Sequence, residues 1–394
     1  MIRRLSILGI CLLSLACPDK LFAQRVIGGV LSPTDAMFVV RPGIDTLAVD
    51  RRAILQLLRA YANQSNSVVA STDTWSRTDA IDREYGDLTK SFVAQQRATL
   101  EAVDYDDAKR STQRIRLRYG PANVSSVVIT LYAVREAGGE SPWRLSGSLA
   151  QKSRSWTRRT AGRLTFLYAP SMVPDQSRAA RASQFADSVA RLFDVPAPPN
   201  ILIVLTPSPV SYMQLLGLES NPESRDPQKP GSLSNRVSPT GNGLVLSGDP
   251  SQAEFNKHEI AHAVLGGIFG SAFPSEGVAS WLGGSYGKSR ESLFATLLTF
   301  QRRNPSVSLG RLLKDAPSDL PEAEVRILRN ATGALAVHEV YLRRQLIGLR
   351  ALRSLPAMAP EDWLRMQLNI SSSDPVALDR WWRAATVREV GANH

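Results

Sequence analysis

The spacing of hydrophobic residues changes from helical to alternating near residue 104. Residues 49–61 and 74–93 place apolar side chains every three or four positions, so two helices are predicted there. Further along, apolar and polar residues alternate, which is typical of strands with one buried face. The predicted strands are residues 114–119, 127–134, 143–149 and 164–168.

Beyond residue 169, longer helical patterns are combined with short strands. Residues 201–205 form a continuous apolar run, typical of a buried strand, and a second short strand is predicted at residues 243–247. Asp249 followed by Pro250 predicts the start of the next helix. The predicted helices are residues 175–193, 253–265, 291–303 and 331–350. This half of the chain is expected to contain a small mixed sheet and a helical C-terminal part.

One long segment has no hydrophobic periodicity. Residues 218–243 are rich in Pro, Ser, Gly and Asn, and they are longer than most connections inside a compact domain. Two interpretations stay open: a surface excursion, or a lid over a cleft.

These patterns predict an α+β protein with two units, residues 24–168 and residues 169–394. In the first unit, two helices precede an antiparallel meander. That order resembles the nuclear-transport-factor-like or SnoaL-like fold, which implies a cone-like α+β domain.

Residues 1–23 have the layout of a secretory signal peptide. Arg3 and Arg4 precede an apolar run at residues 5–16, and the segment ends at Ala23. It is too short and wrongly flanked for a membrane span, so the protein is expected to be exported, either periplasmic or secreted. Lipid anchoring at Cys17 is the less favoured alternative, because the expected leucine three residues earlier is absent.

Composition and charge narrow the function classes. The chain has 394 residues, of which 43% are hydrophobic, and a net charge of +11. The basic residues are scattered and no basic motif with stacking aromatics occurs, so we expect no nucleic-acid partner. The positive surplus is compatible with association with an envelope or membrane surface. Because both cysteines, Cys11 and Cys17, lie in the predicted leader, no thiolate metal site is expected in the mature chain.

The candidate chemistry lies in one predicted helix. His258 and His262 are four residues apart, so their imidazoles project from the same helix face and can reach one ion. Glu259 would sit beside that ion and take a proton from its water. An open zinc site needs a third protein ligand, and Glu276 can supply it from the following helix. The sequence therefore predicts a Zn²⁺ site with ligands His258, His262 and Glu276, and Glu259 as the catalytic base.

The residues around Glu276 resemble a known family. Residues 274–281, Pro-Ser-Glu-Gly-Val-Ala-Ser-Trp, are similar to the second motif of the gluzincin metallopeptidases, in particular the peptidase-MA-like group related to thermolysin and the aminopeptidases. The resemblance extends over roughly residues 164–385. It implies the same roles for His258, His262, Glu259 and Glu276, and a gluzincin-type domain in the second half.

Two departures from that family pattern concern the groups around the metal. Ser280 stands where an acidic residue often orients a ligand imidazole, and its hydroxyl is expected to accept that hydrogen bond. A tyrosine that would steady the oxyanion has no unambiguous match, and Tyr286, Tyr341 and His338 are the candidates. For His338, a packing role on an apolar helix is the favoured alternative.

The expected function is that of an exported zinc metallopeptidase acting on a peptide or protein substrate. An extended substrate is expected to pair with the strand at residues 244–247. The alternative is a catalytically idle module of the same fold that binds peptides or envelope components. The oligomeric state stays open.

Overall fold

The computed structural model describes the greater part of the chain. The described residues are 38–40, 49–63, 74–76, 81–82, 98–105, 111–119, 127–135, 141–219, 233–234, 243–248, 251, 253–314, 320–371, 374 and 376–392. The predicted leader, most of the predicted helix at residues 74–93, most of the 218–243 segment, and Asp249 with Pro250 lie outside them.

The first sheet is mainly the predicted antiparallel meander. Its described strands are β1 (Phe38–Val40), β2 (Ala98–Tyr105), β3 (Thr112–Tyr119), β4 (Val127–Val134), β5 (Arg144–Gly147) and β9 (Leu218–Glu219). Strands β2 to β5 pair in sequence order, β1 joins β2 in parallel, and β9 pairs with β4 beyond the end of β5. Helix α1 (Val49–Asn63) contributes the buried Ile54 and Leu58 to the same core as the sheet. The fold class is α+β, as predicted.

The prediction of a second helix at residues 74–93 is wrong at its start, residues 74–76. Trp75 is buried and forms a parallel bridge with Leu145 of β5. The Leu145 amide donates a hydrogen bond to the Thr74 carbonyl, and the Ser76 amide donates one to the Leu145 carbonyl. Pairing with β5 therefore replaces helical hydrogen bonds at residues 74–76, while residues 81–82 are helical.

The second sheet is mixed, as predicted. Its strands are β6 (Thr157–Ala161), β7 (Leu164–Tyr168), β8 (Ile201–Leu205), β10 (Leu233–Ser234) and β11 (Gly243–Ser247). They lie in the order β10-β11-β8-β7-β6, with β7, β8 and β11 parallel and the two outer strands antiparallel. Strand β7, predicted as the last strand of the first unit, thus belongs to the sheet of the second, together with β6, for which no strand was predicted. A boundary after residue 168 would cut through this sheet.

Strand β8 explains why its sequence is apolar at every position. Ile201, Ile203 and Leu205 lie in the core shared with the C-terminal helices. Leu202 and Val204 face the core that contains the first sheet. Both faces of the strand are covered, so alternation is absent.

Strand β11 is internal, which contradicts the expected substrate pairing. All five of its residues are buried. It pairs with β8 along its whole length on one side, and Leu246 and Val245 pair with β10 on the other. Its hydrogen-bonding groups on the β8 side, and those of Val245 and Leu246 on the β10 side, are therefore engaged by the protein itself.

The C-terminal half is helical, as predicted. The remaining helices are α2 (Ser148–Lys152), α3 (Gln176–Phe193), α4 (Pro209–Leu215), α5 (Lys257–Leu265), α6 (Ala272–Gly283), α7 (Arg290–Arg303), α8 (Leu309–Lys314), α9 (Glu322–Ala351), α10 (Pro360–Leu368) and α11 (Ala377–Gly391). Most of them share one hydrophobic core with one face of the second sheet. Within the described residues, no helix combines the length and apolarity that a membrane crossing requires.

Candidate metal centre

Helix α5 carries the imidazole pair. The helix begins at Lys257, and the Asn256 side chain caps it by accepting a hydrogen bond from the Glu259 amide at 3.2 Å. Asn256 thus takes the capping role predicted for Asp249, because a short 3-10 turn at Ala253–Phe255 precedes the helix. Gly266, with φ of 53°, follows its last residue, Leu265, which is also the predicted end of this helix. On this helix His262 is buried and His258 nearly so.

Glycines bring the neighbouring helices close enough to complete the site. A Cβ atom at Gly277 of α6 would lie 2.8 Å from the backbone carbon of Gly333 in α9, so these two helices cross in direct backbone contact. At the other end of α6, a Cβ at Gly283 would lie 2.4 Å from the His258 amide nitrogen. Only glycine permits these approaches.

The three predicted ligands converge. The Nε2 atoms of His258 and His262 lie 3.2 Å apart. Glu276 reaches both, with Oε2 at 3.3 Å from His258 Nε2 and Oε1 at 3.3 Å from His262 Nε2. These three residues are the described group of His, Cys, Asp and Glu side chains that could hold a metal ion. The Glu276 side chain is 41% exposed while that of His262 is 3% exposed, so the site is accessible from the Glu276 side.

The outer nitrogen of each imidazole has its own partner. His258 Nδ1 lies 2.6 Å from the Gly284 carbonyl oxygen. A carbonyl can only accept, so Nδ1 donates and, in the neutral ring, Nε2 keeps its lone pair toward the centre of the site. His262 Nδ1 lies 3.2 Å from the Ser275 hydroxyl. Both ring orientations therefore suit a metal ligand.

The role predicted for Ser280 is wrong. Its side chain is completely buried, and its hydroxyl makes no hydrogen bond in the described structure. The close approach of Gly283 to α5 places the Gly284 carbonyl against His258 instead. Neither Gly284 nor Ser275 was predicted, because a backbone acceptor leaves no trace in side-chain identity and the spacing that indicates Glu276 as a ligand does not single out Ser275.

Asn330 is a further polar neighbour that sequence reasoning missed. It lies in α9, and its Nδ2 donates to Glu276 Oε2 at 3.2 Å and to the Ser285 hydroxyl at 3.0 Å. It is 54 residues from Glu276 in sequence, so no local pattern connects the two.

The charges of the site are strongly coupled. Burial alone would raise the pKa of Glu276, but hydrogen bonds to His258 and His262, and their charges, hold it well below its ordinary value. Burial would lower the pKa of His258, but Glu276, Glu259 and the Gly284 carbonyl together raise it. The cluster thus favours positive charge between its imidazoles and a negative charge on Glu276. In the metal-free site a proton on an imidazole supplies this positive charge, and a bound cation would take its place.

Glu259 is positioned as a neighbour of the ligands rather than as one of them. It is 7% exposed, and its charge contributes to the raised pKa of His258. It is absent from the group whose ligand atoms converge. Tyr212 of α4, which was not predicted, lies within electrostatic reach of Glu259: burial first, and then the charge of Glu259, raise the pKa of its phenol.

The three oxyanion candidates have different surroundings. Burial raises the pKa of Tyr286, Arg326 partly offsets this, and the charges of Glu276 and Glu259 add to the increase. Tyr286 is therefore within electrostatic reach of both carboxylates. It is half exposed, and its φ of 52° is a conformation that costs a non-glycine residue about 1–3 kcal/mol.

His338 and Tyr341 are engaged elsewhere. His338 Nδ1 accepts from Trp281 Nε1 at 3.1 Å, and its Nε2 lies 3.0 Å from Glu389 Oε2. The Tyr341 ring packs against Trp281, with ring centroids 5.3 Å apart. The structure places both residues in helix packing rather than among the metal ligands, and for His338 this is the alternative that the sequence favoured.

Comparison with known proteins gives no assignment. No protein-family model matches the chain, and no curated protein matches it.

Proposed function

We propose that the protein is an exported zinc metallopeptidase that hydrolyses peptide bonds. The observation that carries the proposal is the convergence of the ligand atoms: the two imidazole Nε2 atoms lie 3.2 Å apart, and each lies 3.3 Å from a different oxygen of the Glu276 carboxylate. Zinc bonds of about 2.0–2.1 Å in a tetrahedron put neighbouring ligand atoms about 3.3 Å apart. The residues therefore fit zinc, and three protein ligands leave a fourth position for solvent or substrate.

The donor set favours a catalytic site over a structural one. Structural zinc sites usually close with four protein ligands, commonly thiolates, whereas this group has two imidazoles and one carboxylate. The exposure of Glu276 gives a substrate access to the open side.

The protein's own residues divide the chemistry. Zinc, when bound, supplies Lewis-acid polarisation of a carbonyl and lowers the pKa of water. Glu259 accepts the proton of the attacking water and passes it to the leaving amine. His258 and His262 are held as neutral ligands by the Gly284 carbonyl and the Ser275 hydroxyl. Tyr286 is the candidate that stabilises the developing negative charge, because the charge of Glu276 contributes to the raised pKa of its phenol and the two groups are therefore close.

A substitution that separates catalysis from metal binding tests the proposal. Glu259→Gln should retain about one zinc per chain and lose chelator-sensitive cleavage of an unfolded protein, because the amide cannot take the proton. The measurements are metal analysis and a casein cleavage assay on the chain that begins at residue 24. Glu291→Gln, which changes an exposed glutamate in the first turn of α7, is the matched control and should retain activity.

The second candidate function is a module that binds peptides or envelope components without turnover. The engagement of His338 and Tyr341 in packing favours it, because only Tyr286 of the predicted oxyanion candidates then stays near the site. Zinc in the wild type without cleavage would support this function over the first.

A further inference from the structure

Asn330 connects two parts of the metal centre that are distant in sequence. Its side-chain amide donates one hydrogen bond to Glu276 Oε2 and one to the Ser285 hydroxyl. A carboxylate oxygen can only accept, so the amide nitrogen must be the atom that faces Glu276. The orientation of Asn330 is thereby determined.

The helix crossing makes this contact a consequence of the fold. Gly277 follows Glu276, and Gly333 lies three residues after Asn330, about one turn further along α9. The backbones of these two glycines touch, with a distance of 2.8 Å from an added Cβ at Gly333 to the Gly277 Cα. The crossing therefore places Asn330 beside Glu276.

The second hydrogen bond ties Asn330 to the segment that orients His258. Ser285 and Lys288 exchange two backbone hydrogen bonds, at 3.0 and 2.9 Å, which close a tight turn. Gly284, which precedes this turn, provides the carbonyl that holds His258. Tyr286 lies inside the turn. One amide thus contacts a metal ligand and the segment that positions another ligand.

We propose that Asn330 is a positioning residue of the metal centre. It holds the Glu276 carboxylate toward the two imidazoles and fixes the segment at residues 284–285 against His258. The inference rests on the proposed metal site. The predicted ligands lie in α5 and α6, whereas Asn330 gives α9 a part in metal binding as well.

The test is a comparison of zinc affinities by competition with a chromophoric chelator. Asn330→Leu keeps the approximate shape and removes both donors. Loss of a hydrogen bond to a metal ligand typically costs about 10–100-fold in metal affinity, and we expect a loss in that range. Ser285→Ala removes only the second bond and should cause a smaller loss.

The matched control is Asn304→Leu. Asn304 ends α7 and donates its amide to the Phe300 carbonyl at 3.1 Å, a single hydrogen bond with no link to the metal ligands. Its zinc affinity should equal that of the wild type. The Tm of each metal-free variant is measured in parallel, and an affinity loss at unchanged Tm identifies positioning rather than general destabilisation.

Two results would overturn the inference and are distinguishable. If the wild type binds zinc and Asn330→Leu binds it equally well, Asn330 positions nothing, while the proposed function stands. If the wild type binds no zinc, the proposed function fails together with the inference. Should Asn330→Leu not fold, Ser285→Ala decides: weaker binding than Asn304→Leu supports the inference, and equal binding overturns it.

Discussion

Two side-chain clusters include a residue of α6: the candidate metal centre, with Glu276, and a packing cluster of Trp281, His338 and Glu389. The two clusters differ in what the histidine ring nitrogens face. At the metal centre, the Nε2 atoms of His258 and His262 point toward each other and toward one carboxylate. In the other cluster, both nitrogens of His338 have separate partners, Trp281 and Glu389. Converging lone pairs need a cation or a proton between them, whereas a ring with a donor on one side and an acceptor on the other is already satisfied. The type of residue is the same, and only the geometry separates ligand from packing group.

Removal of a ligand should break this contrast most strongly. His262→Ala or Glu276→Ala leaves two protein ligands, so we expect zinc content to fall from about one per chain to background and cleavage to be abolished. His338→Gln is the matched control and should keep its zinc. The measurement is metal analysis after dialysis. Zinc retention in both ligand variants would show that this triad does not bind the metal.

The sequence could predict the convergence of His258 and His262 from helical periodicity, and that of Glu276 from the need for a third ligand and from the motif around it. Two histidines four residues apart share a face in any helix, and a glutamate in the next helix is within reach after a short turn. The alternation of β3, followed by a second strand-like segment at residues 127–134, likewise predicted an antiparallel pair.

The parts that sequence could not predict depend on long-range contacts. Asn330 reaches Glu276 only through the glycine crossing of α6 and α9, and β7 joins the second sheet through its pairing with β8. The helix cap at Asn256 instead of Asp249 depends on the backbone path before α5. The Gly284 carbonyl lies against His258 because Gly283 approaches α5 closely.

A smaller effect is expected from pH, because a proton and a cation compete for His258. In the metal-free protein the raised pKa of His258 stabilises the fold below its unfolded value of 6.5, and this contribution is lost as the pH rises through the raised pKa. The lowered pKa of Glu276 stabilises above its unfolded value of 4.5, and this contribution is lost only as the pH falls through the lowered pKa. The metal-free pair thus contributes most between those two unfolded values.

Zinc requires the unprotonated imidazole, so its contribution runs in the opposite direction. We expect the zinc-induced rise in Tm to be small at about pH 5 and to increase toward about pH 8, as His258 loses its proton. Thermal unfolding with and without zinc across this range measures it, with His338→Gln as the control that should show the same trend. A zinc effect independent of pH would contradict the competition between a proton and zinc for His258.

The smallest expected effect on the metal site comes from Trp281, which lies on the same helix as Glu276 but belongs to the other cluster. Trp281→Phe keeps a ring against Tyr341 and removes the donor to His338 Nδ1, leaving that nitrogen without its partner in a largely buried position. An unmade buried hydrogen bond costs about 1–3 kcal/mol, so we expect the free energy of unfolding to fall by that amount. Chemical denaturation measures this loss, and chelator competition should give a zinc affinity equal to that of the wild type. A large loss of zinc affinity at a small loss of stability would mean that the two clusters are coupled through α6, and that the geometric contrast between them does not separate their roles.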